Sequence, residues 1–180
     1  MLTTLQTNGP RLHDGDLVDL MLDCHRRVRR FIAIARHLAD ADAVTDSEAS
    51  EAAGAIHRYF TVALPLHIAD EDQSILPRLK GRNLALDEAL RDMAREHQDH
   101  DASVVHLAAL CSRIAASPAM RPSLRAELTQ VVTELDHAFA SHLAREEAII
   151  FPAIRRLLDG DRQAEILAEL RARRAPRQPA

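Results

Sequence analysis

Apolar residues recur at three- and four-residue steps along most of the chain, which is the spacing of a helix that buries one face. The first stripe of this kind carries Leu17, Met21 and Val28, and His25 lies in the same stripe. The stripe predicts a helix that begins near residue 16. Its opposite face carries a cluster of arginines, which we interpret as a solvated surface: Arg26, Arg27, Arg29, Arg30 and Arg36.

The same spacing predicts three further long helices. The second covers about 46–79 and follows Thr45, which forms a capping-box pattern with Glu48. The third covers about 86–116 and the fourth about 122–158. Strand-like alternation of apolar and polar residues is missing from the sequence, so the pattern predicts an all-α protein.

Four amphipathic helices joined by short turns favour an up-down-up-down four-helix bundle. We expect residues 1–15 to form a flexible N-terminal arm and residues 16–158 to form the bundle. Residues 159–180 should add a short helix and a disordered tail that starts at Arg173, because the last residues are rich in arginine and proline. Pro65 interrupts the second helix and should bend it just before His67.

Length and composition restrict the class of protein. The 180 residues fit one domain, and 47% hydrophobic and 28% charged residues are ordinary for a globular protein. A net charge of −4 and only 3% aromatic residues argue against nucleic-acid binding. The two cysteines lack C-x-x-C spacing, and we find neither a signal peptide nor an apolar stretch of about 18 residues. We therefore expect a cytoplasmic protein without membrane contact.

An eleven-residue phrase occurs twice in the chain. The first copy runs from His67 to Pro77 and the second from His142 to Pro152, with a constant shift of 75 residues. Residues around His25 and His97 also correspond, with a shift of 72 residues. The sequence therefore indicates an internal duplication in which each half reads His, a long gap, and then His-x-x-x-Glu.

The His-x-x-x-Glu pairs carry the candidate chemistry. Residues four apart on a helix lie on one face, so an imidazole and a carboxylate can converge on one point. An unpaired buried carboxylate is costly, so two such glutamates are hard to explain by core packing. We interpret six residues as metal ligands, with a metal-free bundle as the alternative: His25, His67, Glu71, His97, His142 and Glu146.

The donor types narrow the choice of metal. Two cysteines without zinc-finger spacing exclude an all-thiolate structural zinc site. Two imidazoles and one carboxylate per ion are typical of non-haem iron and leave coordination positions open. Zinc and manganese stay open on ligand type alone.

The pattern H…HxxxE…H…HxxxE resembles the hemerythrin-like, HHE cation-binding domain, and the resemblance covers about residues 16–158. It implies a four-helix bundle with a diiron centre in its interior, with the two irons bridged by carboxylates and an oxo or hydroxo group. One iron would take His25, His67 and Glu71 in some division with the other, and the second would take His97, His142 and Glu146. Glu71 and Glu146 would bridge the two ions.

The sequence departs from oxygen-carrying hemerythrins at one ligand position. Those proteins resemble a five-histidine pattern, whereas here Asp101 stands where the fifth histidine is expected, and His100 is a candidate seventh ligand. The symmetric set is more similar to a bacterial branch associated with peroxide or nitric oxide chemistry. Tyr59 and Glu134 lie eight residues before His67 and His142 and are candidates for a place beside the ligands.

The resemblance implies a protein that handles peroxide, NO or O2 at a dinuclear iron site. We expect weak oxidoreductase activity, either catalase-like or NO-reducing, with an unidentified reductant or protein as partner. The alternative is a non-catalytic module that senses O2, NO or iron, or that stores O2.

Overall fold

The computed structural model describes residues 16–175. Nearly all of them are helical, and this range contains no strand. The arm predicted for residues 1–15 and the end of the predicted tail, 176–180, lie outside the described residues. Across residues 16–175, no helix combines the length and the hydropathy that crossing a bilayer requires.

The first helix, α1, is Leu17–Asp40. The Asp16 side chain accepts a hydrogen bond from the backbone N–H of Asp19, at 2.9 Å, and so caps the first turn. The helix buries the stripe that includes Val28, together with the imidazole of His25.

The second helical run is continuous from residue 46 to residue 79, as the spacing predicts. It consists of α2 (Asp46–Arg58), α3 (Leu64–Asp70) and α4 (Leu76–Leu79), joined by the π turns Tyr59–Ala63 and Glu71–Ile75. The predicted capping box is present: the Thr45 hydroxyl accepts from the N–H of Glu48, whose side chain accepts from the N–H of Thr45.

The third and fourth runs follow after short connections. Gly81 adopts a φ of 80° in the turn before α5, which is Leu84–Ala116. The fourth run then covers residues 121–157, as α6 (Arg121–Arg145), the π turn Glu146–Ile150 and α7 (Phe151–Leu157). A 3₁₀ turn, Pro118–Met120, leads into it.

Each of the three π turns ends two residues before a proline: Pro65, Pro77 and Pro152. A proline has no N–H to donate, and its ring clashes with the carbonyl four residues earlier. The preceding residue bonds five residues back instead, as Leu76 does to the carbonyl of Glu71. The disruption predicted at Pro65 is therefore a widened turn, and the equivalent turns before Pro77 and Pro152 were not predicted.

The long helices form a bundle in which neighbours close a ring. Helix α1 packs against α2 and α6, and α5 packs against the same two helices. Two apolar clusters fill the interior: one includes Val28, Phe60 and Leu143, and the other includes Met21 and Ile75. The predicted ligands fall between these clusters along each helix, so the bundle carries a polar layer between two apolar ones.

The last helix, α8, is Gly160–Arg174. It buries Ile166 and Leu170 in the second apolar cluster. The prediction that disorder starts at Arg173 is wrong, because Arg173 and Arg174 belong to this helix and both bond the buried carboxylate of Asp70.

Candidate metal centre

The structure brings all six predicted ligands together inside the bundle. His25 comes from α1, His67 from α3, His97 from α5 and His142 from α6, and the two glutamates begin π turns. Their donor atoms form two groups, within each of which the atoms lie no more than 4.8 Å apart. One group is His25, His67, Glu71 and Glu146, and the other is Glu71, His97, His142 and Glu146.

Each glutamate spans both groups. One oxygen of Glu71 lies 3.4 Å from Nε2 of His67, and the other lies 3.3 Å from Nε2 of His97. Glu146 repeats the arrangement, at 3.1 Å from Nε2 of His142 and 3.0 Å from Nε2 of His25. Each of the two carboxylates therefore faces one imidazole of either donor group.

The inward-facing atoms have no hydrogen bonds in the described part of the protein. This applies to Nε2 of His25, His67 and His97 and to all four oxygens of Glu71 and Glu146. A buried polar atom without a partner costs about 1–3 kcal/mol, so this many in one place need a common partner. Imidazole nitrogens and carboxylate oxygens are the donors that borderline and hard cations prefer. The cluster thus fits metal cations.

The outward-facing nitrogens of three imidazoles bond to carboxylates. Nδ1 of His25 lies 2.9 Å from Glu147, Nδ1 of His97 lies 3.1 Å from Asp72, and Nδ1 of His142 lies 2.8 Å from Glu96. Such a carboxylate holds the proton on Nδ1, which leaves Nε2 as the donor atom for a metal. Arginines brace two of these acids: Arg29 lies 2.9 Å from Glu147, and Arg145 donates to Glu96 at 2.5 Å.

None of these three carboxylates is among the site residues predicted from the sequence. Asp72 and Glu147 are matched residues of the repeat, each five residues after a ligand histidine, and Glu96 directly precedes His97. The matched acids in the repeat were the signal that could have identified Asp72 and Glu147. The sequence alone held no comparable signal for Glu96, because its partner, His142, is 46 residues away.

The carboxylates also shift the pKa values of the metal-free cluster. Burial lowers the pKa of His97, but Asp72 and Glu71 outweigh burial and raise it to about 10. Burial and the nearby His25 lower the pKa of His67 to about 3. Burial and the charge of Glu146 raise the pKa of Glu71 to about 7, whereas the imidazoles of His142 and His25 overcome burial and lower the pKa of Glu146. Without a cation, the charged forms of His97 and Glu146 are therefore favoured, whereas the neutral forms of His67 and Glu71 are favoured.

A cavity of about 670 Å³ reaches the centre from one side of the bundle. Its lining includes three ligand imidazoles and several apolar side chains: His67, His97, His142, Phe60, Leu64, Val104 and Phe139. His100 is half-buried in this lining, with its ring centroid 5.5 Å from that of His142, and Asp101 is exposed. Neither His100 nor Asp101 belongs to a donor group.

The two residues that precede the ligand histidines by eight positions behave differently. Tyr59 is buried, stacks on Phe31 with ring centroids 4.1 Å apart, and lines a second cavity together with His67. Glu134 is exposed and accepts a hydrogen bond from Gln130, so its predicted place beside the ligands is wrong.

Comparison with known proteins adds one finding. A family model described as "Hemerythrin HHE cation binding domain" matches residues 16–119, more than half of the chain. The matched range contains His25, His67, Glu71 and His97 and ends before His142 and Glu146, which the structure places in the same cluster. No curated protein matches the chain.

Proposed function

The chain belongs to the hemerythrin HHE cation-binding domain family, and from this premise we propose that it binds two iron ions and handles peroxide, NO or O2 at the dinuclear site. The observation that carries the proposal is the pair of buried carboxylates, each of which faces one imidazole of either donor group. The site would lie in the interior of an up-down-up-down bundle.

The proposed stoichiometry follows from the shared donors. Each group offers two imidazoles and two bridging carboxylates, which is enough to hold one ion per group. Neither set fills an octahedron, so each ion would keep positions for an external ligand. Bound iron would supply exchangeable electrons and those open positions. His100 would stay outside the ligand set because it joins neither group.

The residues around the cluster favour a small substrate. The cavity that reaches His67, His97 and His142 is walled mainly by apolar side chains, so it suits molecules such as O2, NO or H2O2 rather than a charged metabolite. The outer carboxylates fix the imidazole tautomers, and the buried position of both glutamates keeps bulk water from competing for the donors.

Metal analysis of protein purified from iron-supplemented cells tests the core of the proposal. We expect about two iron ions per chain, and Glu71→Gln or Glu146→Gln should lower this content because each removes a charge shared by both ions. Glu134→Gln is the matched control, since that glutamate is exposed on the same helical run as Glu146. Iron content near zero in well-folded protein would contradict the proposal.

Gas and peroxide assays separate the enzyme from the sensing or storage module. A catalase-like protein evolves O2 from H2O2 without any reductant, whereas NO reduction consumes electrons and needs a reductant partner. For an enzyme, turnover should exceed that of free iron and should fall in Glu146→Gln. Reversible O2 or NO binding without turnover would instead support the non-catalytic alternative.

A further inference from the structure

The outer hydrogen bonds of the centre follow the internal duplication. Asp72 and Glu147 occupy matched places in the two phrases, and they bond the matched histidines His97 and His25. Each acid therefore supports an imidazole in the opposite half of the chain. Duplicated residues in duplicated geometry should support the two metal positions equally.

The second pair of outer contacts breaks this symmetry. Glu96 bonds Nδ1 of His142, and the shift of 72 residues places Cys24 where the first half would need the equivalent of Glu96. Nδ1 of His67 is buried and has no hydrogen-bond partner in the described part of the chain. One of the four imidazoles therefore lacks the acceptor that the other three have.

The Cys24 thiol does not replace the missing carboxylate. Its sulfur accepts a hydrogen bond from Nη2 of Arg27 at 3.5 Å, and no hydrogen bond joins it to His67. Sulfur is also a weak acceptor and carries no charge as a thiol. Cys24 and His67 line the same small cavity, so a cysteine at this position leaves space beside the imidazole and no hydrogen-bond partner.

We propose that the two metal positions are inequivalent, and that the position formed by His25 and His67 binds its ion more weakly and releases it first. The inference rests on the proposed binding of two ions. An imidazole whose outer nitrogen lacks a carboxylate is a poorer and less well-oriented ligand, and loss of such a partner typically lowers metal affinity about 10–100-fold. Glu96 acts as a positioning residue in this scheme, and Cys24 stands where the first half lacks an equivalent of Glu96.

Titration of the metal-free full-length protein with Co²⁺ under anaerobic conditions tests the inference, with calorimetry for affinity and visible absorption for coordination. Wild type should bind two ions in steps that differ by roughly 10–100-fold. Cys24→Glu should tighten the weaker step, and Glu96→Gln should weaken the tighter one. Cys24→Ala is the matched control, because it removes the thiol without adding an acceptor, and it should leave both steps unchanged.

The outcomes separate this inference from the proposed function. Two equal steps in wild type, or a gap that Cys24→Glu leaves unchanged in a variant with wild-type circular dichroism, would overturn the inference while two-ion binding stands. If Cys24→Glu does not fold, Glu96→Gln decides alone, and an unchanged tighter step there overturns the inference. Absence of any Co²⁺ binding would overturn the proposed function itself.

Discussion

At the scale of single residues, the buried cluster destabilises the folded protein when no cation is bound. Glu71 is almost fully buried, and neither of its oxygens has a hydrogen bond in the described residues. Such groups destabilise a protein until a ligand satisfies them. The free energy of unfolding of the metal-free protein should therefore depend on the charge state of the cluster.

The pKa of Glu71 makes this cost depend on pH. Burial and the Glu146 charge raise this pKa from 4.5 to about 7 in the folded protein. The folded state then binds a proton that the unfolded state releases, so the carboxylate costs stability as pH rises from about 4.5 to 7, by at most about 3 kcal/mol. Glu71→Gln removes this dependence. The free energy of unfolding of the metal-free variant should therefore rise relative to that of wild type between pH 4.5 and 7, and the difference should stay constant above that range.

Urea denaturation of both metal-free proteins at several pH values measures this difference. Glu134→Gln should follow wild type within about 0.5 kcal/mol, because that side chain is exposed. A difference between Glu71→Gln and wild type that stays flat from pH 4.5 to 7 would show that Glu71 is ionised in the metal-free fold.

At the scale of elements, the π turns connect the repeat to the metal centre. Two of them begin at the glutamates that both donor groups share, Glu71 and Glu146, and end before Pro77 and Pro152. A widened turn adds a residue between the ligand and the apolar residues that follow it, which lets both face the interior. Pro77 and Pro152 therefore help to orient the side chains of Glu71 and Glu146 toward the interior.

We predict that Pro152→Ala weakens metal binding while it stabilises the metal-free protein. Alanine supplies an N–H and removes the ring clash, so the turn can relax to an ordinary α-turn, in which proline is about 3 kcal/mol less favourable than alanine. That change would rotate Glu146 relative to Phe151 and misplace the carboxylate. We expect roughly tenfold weaker Co²⁺ binding, the scale of a lost positioning contact.

Pro122→Ala is the control for this prediction, since Pro122 lies in the first turn of α6, where proline is well tolerated. Co²⁺ affinity and the urea midpoint report the two effects. If the proline substitution left metal affinity at the wild-type value, the packing of Ile150 and Phe151 alone would be holding the π turn.

The same elements show what the sequence could predict. The long helices and their limits followed from apolar spacing and from local signals such as the capping box at Thr45, because caps are set by neighbouring residues. The six clustered residues followed from the duplicated pattern of a histidine, a long gap and His-x-x-x-Glu. The π turns did not, because one extra residue in a helix hardly changes an apolar stripe. The outer bond from Glu96 to His142 was also missed, since it depends on how separate helices pack.

At the scale of the whole molecule, the polar centre lies between two apolar clusters, and the C-terminal helix α8 closes one of them. Asp70, next to the predicted ligand Glu71, is fully buried and bonds Arg173 at 2.8 Å and Arg174 at 2.5 Å. Glu169 adds a bond to Arg78 at 2.6 Å. The arginine-rich end of the chain is therefore a structural contact with the segment that presents a ligand.

The ion pairs at Asp70 predict that removing the arginines lowers the free energy of unfolding more than removing the arginines together with the Asp70 charge. Replacing both Arg173 and Arg174 by Met leaves a buried carboxylate without a cation, which should lower the free energy of unfolding by about 3–5 kcal/mol. Adding Asp70→Asn to that double variant should recover part of the loss, because it removes the uncompensated charge. Urea denaturation measures all three proteins.

Arg171→Met is the matched control, because Arg171 is exposed in the same helix, and it should change stability by less than about 0.5 kcal/mol. Metal content gives an independent reading, since Asp70 directly precedes Glu71 in the chain. If α8 contributes to stability but not to the position of Glu71, the triple variant with Asp70→Asn should bind as many ions as wild type. A triple variant as unstable as the double variant would mean that packing of α8, rather than the charge of Asp70, carries the effect.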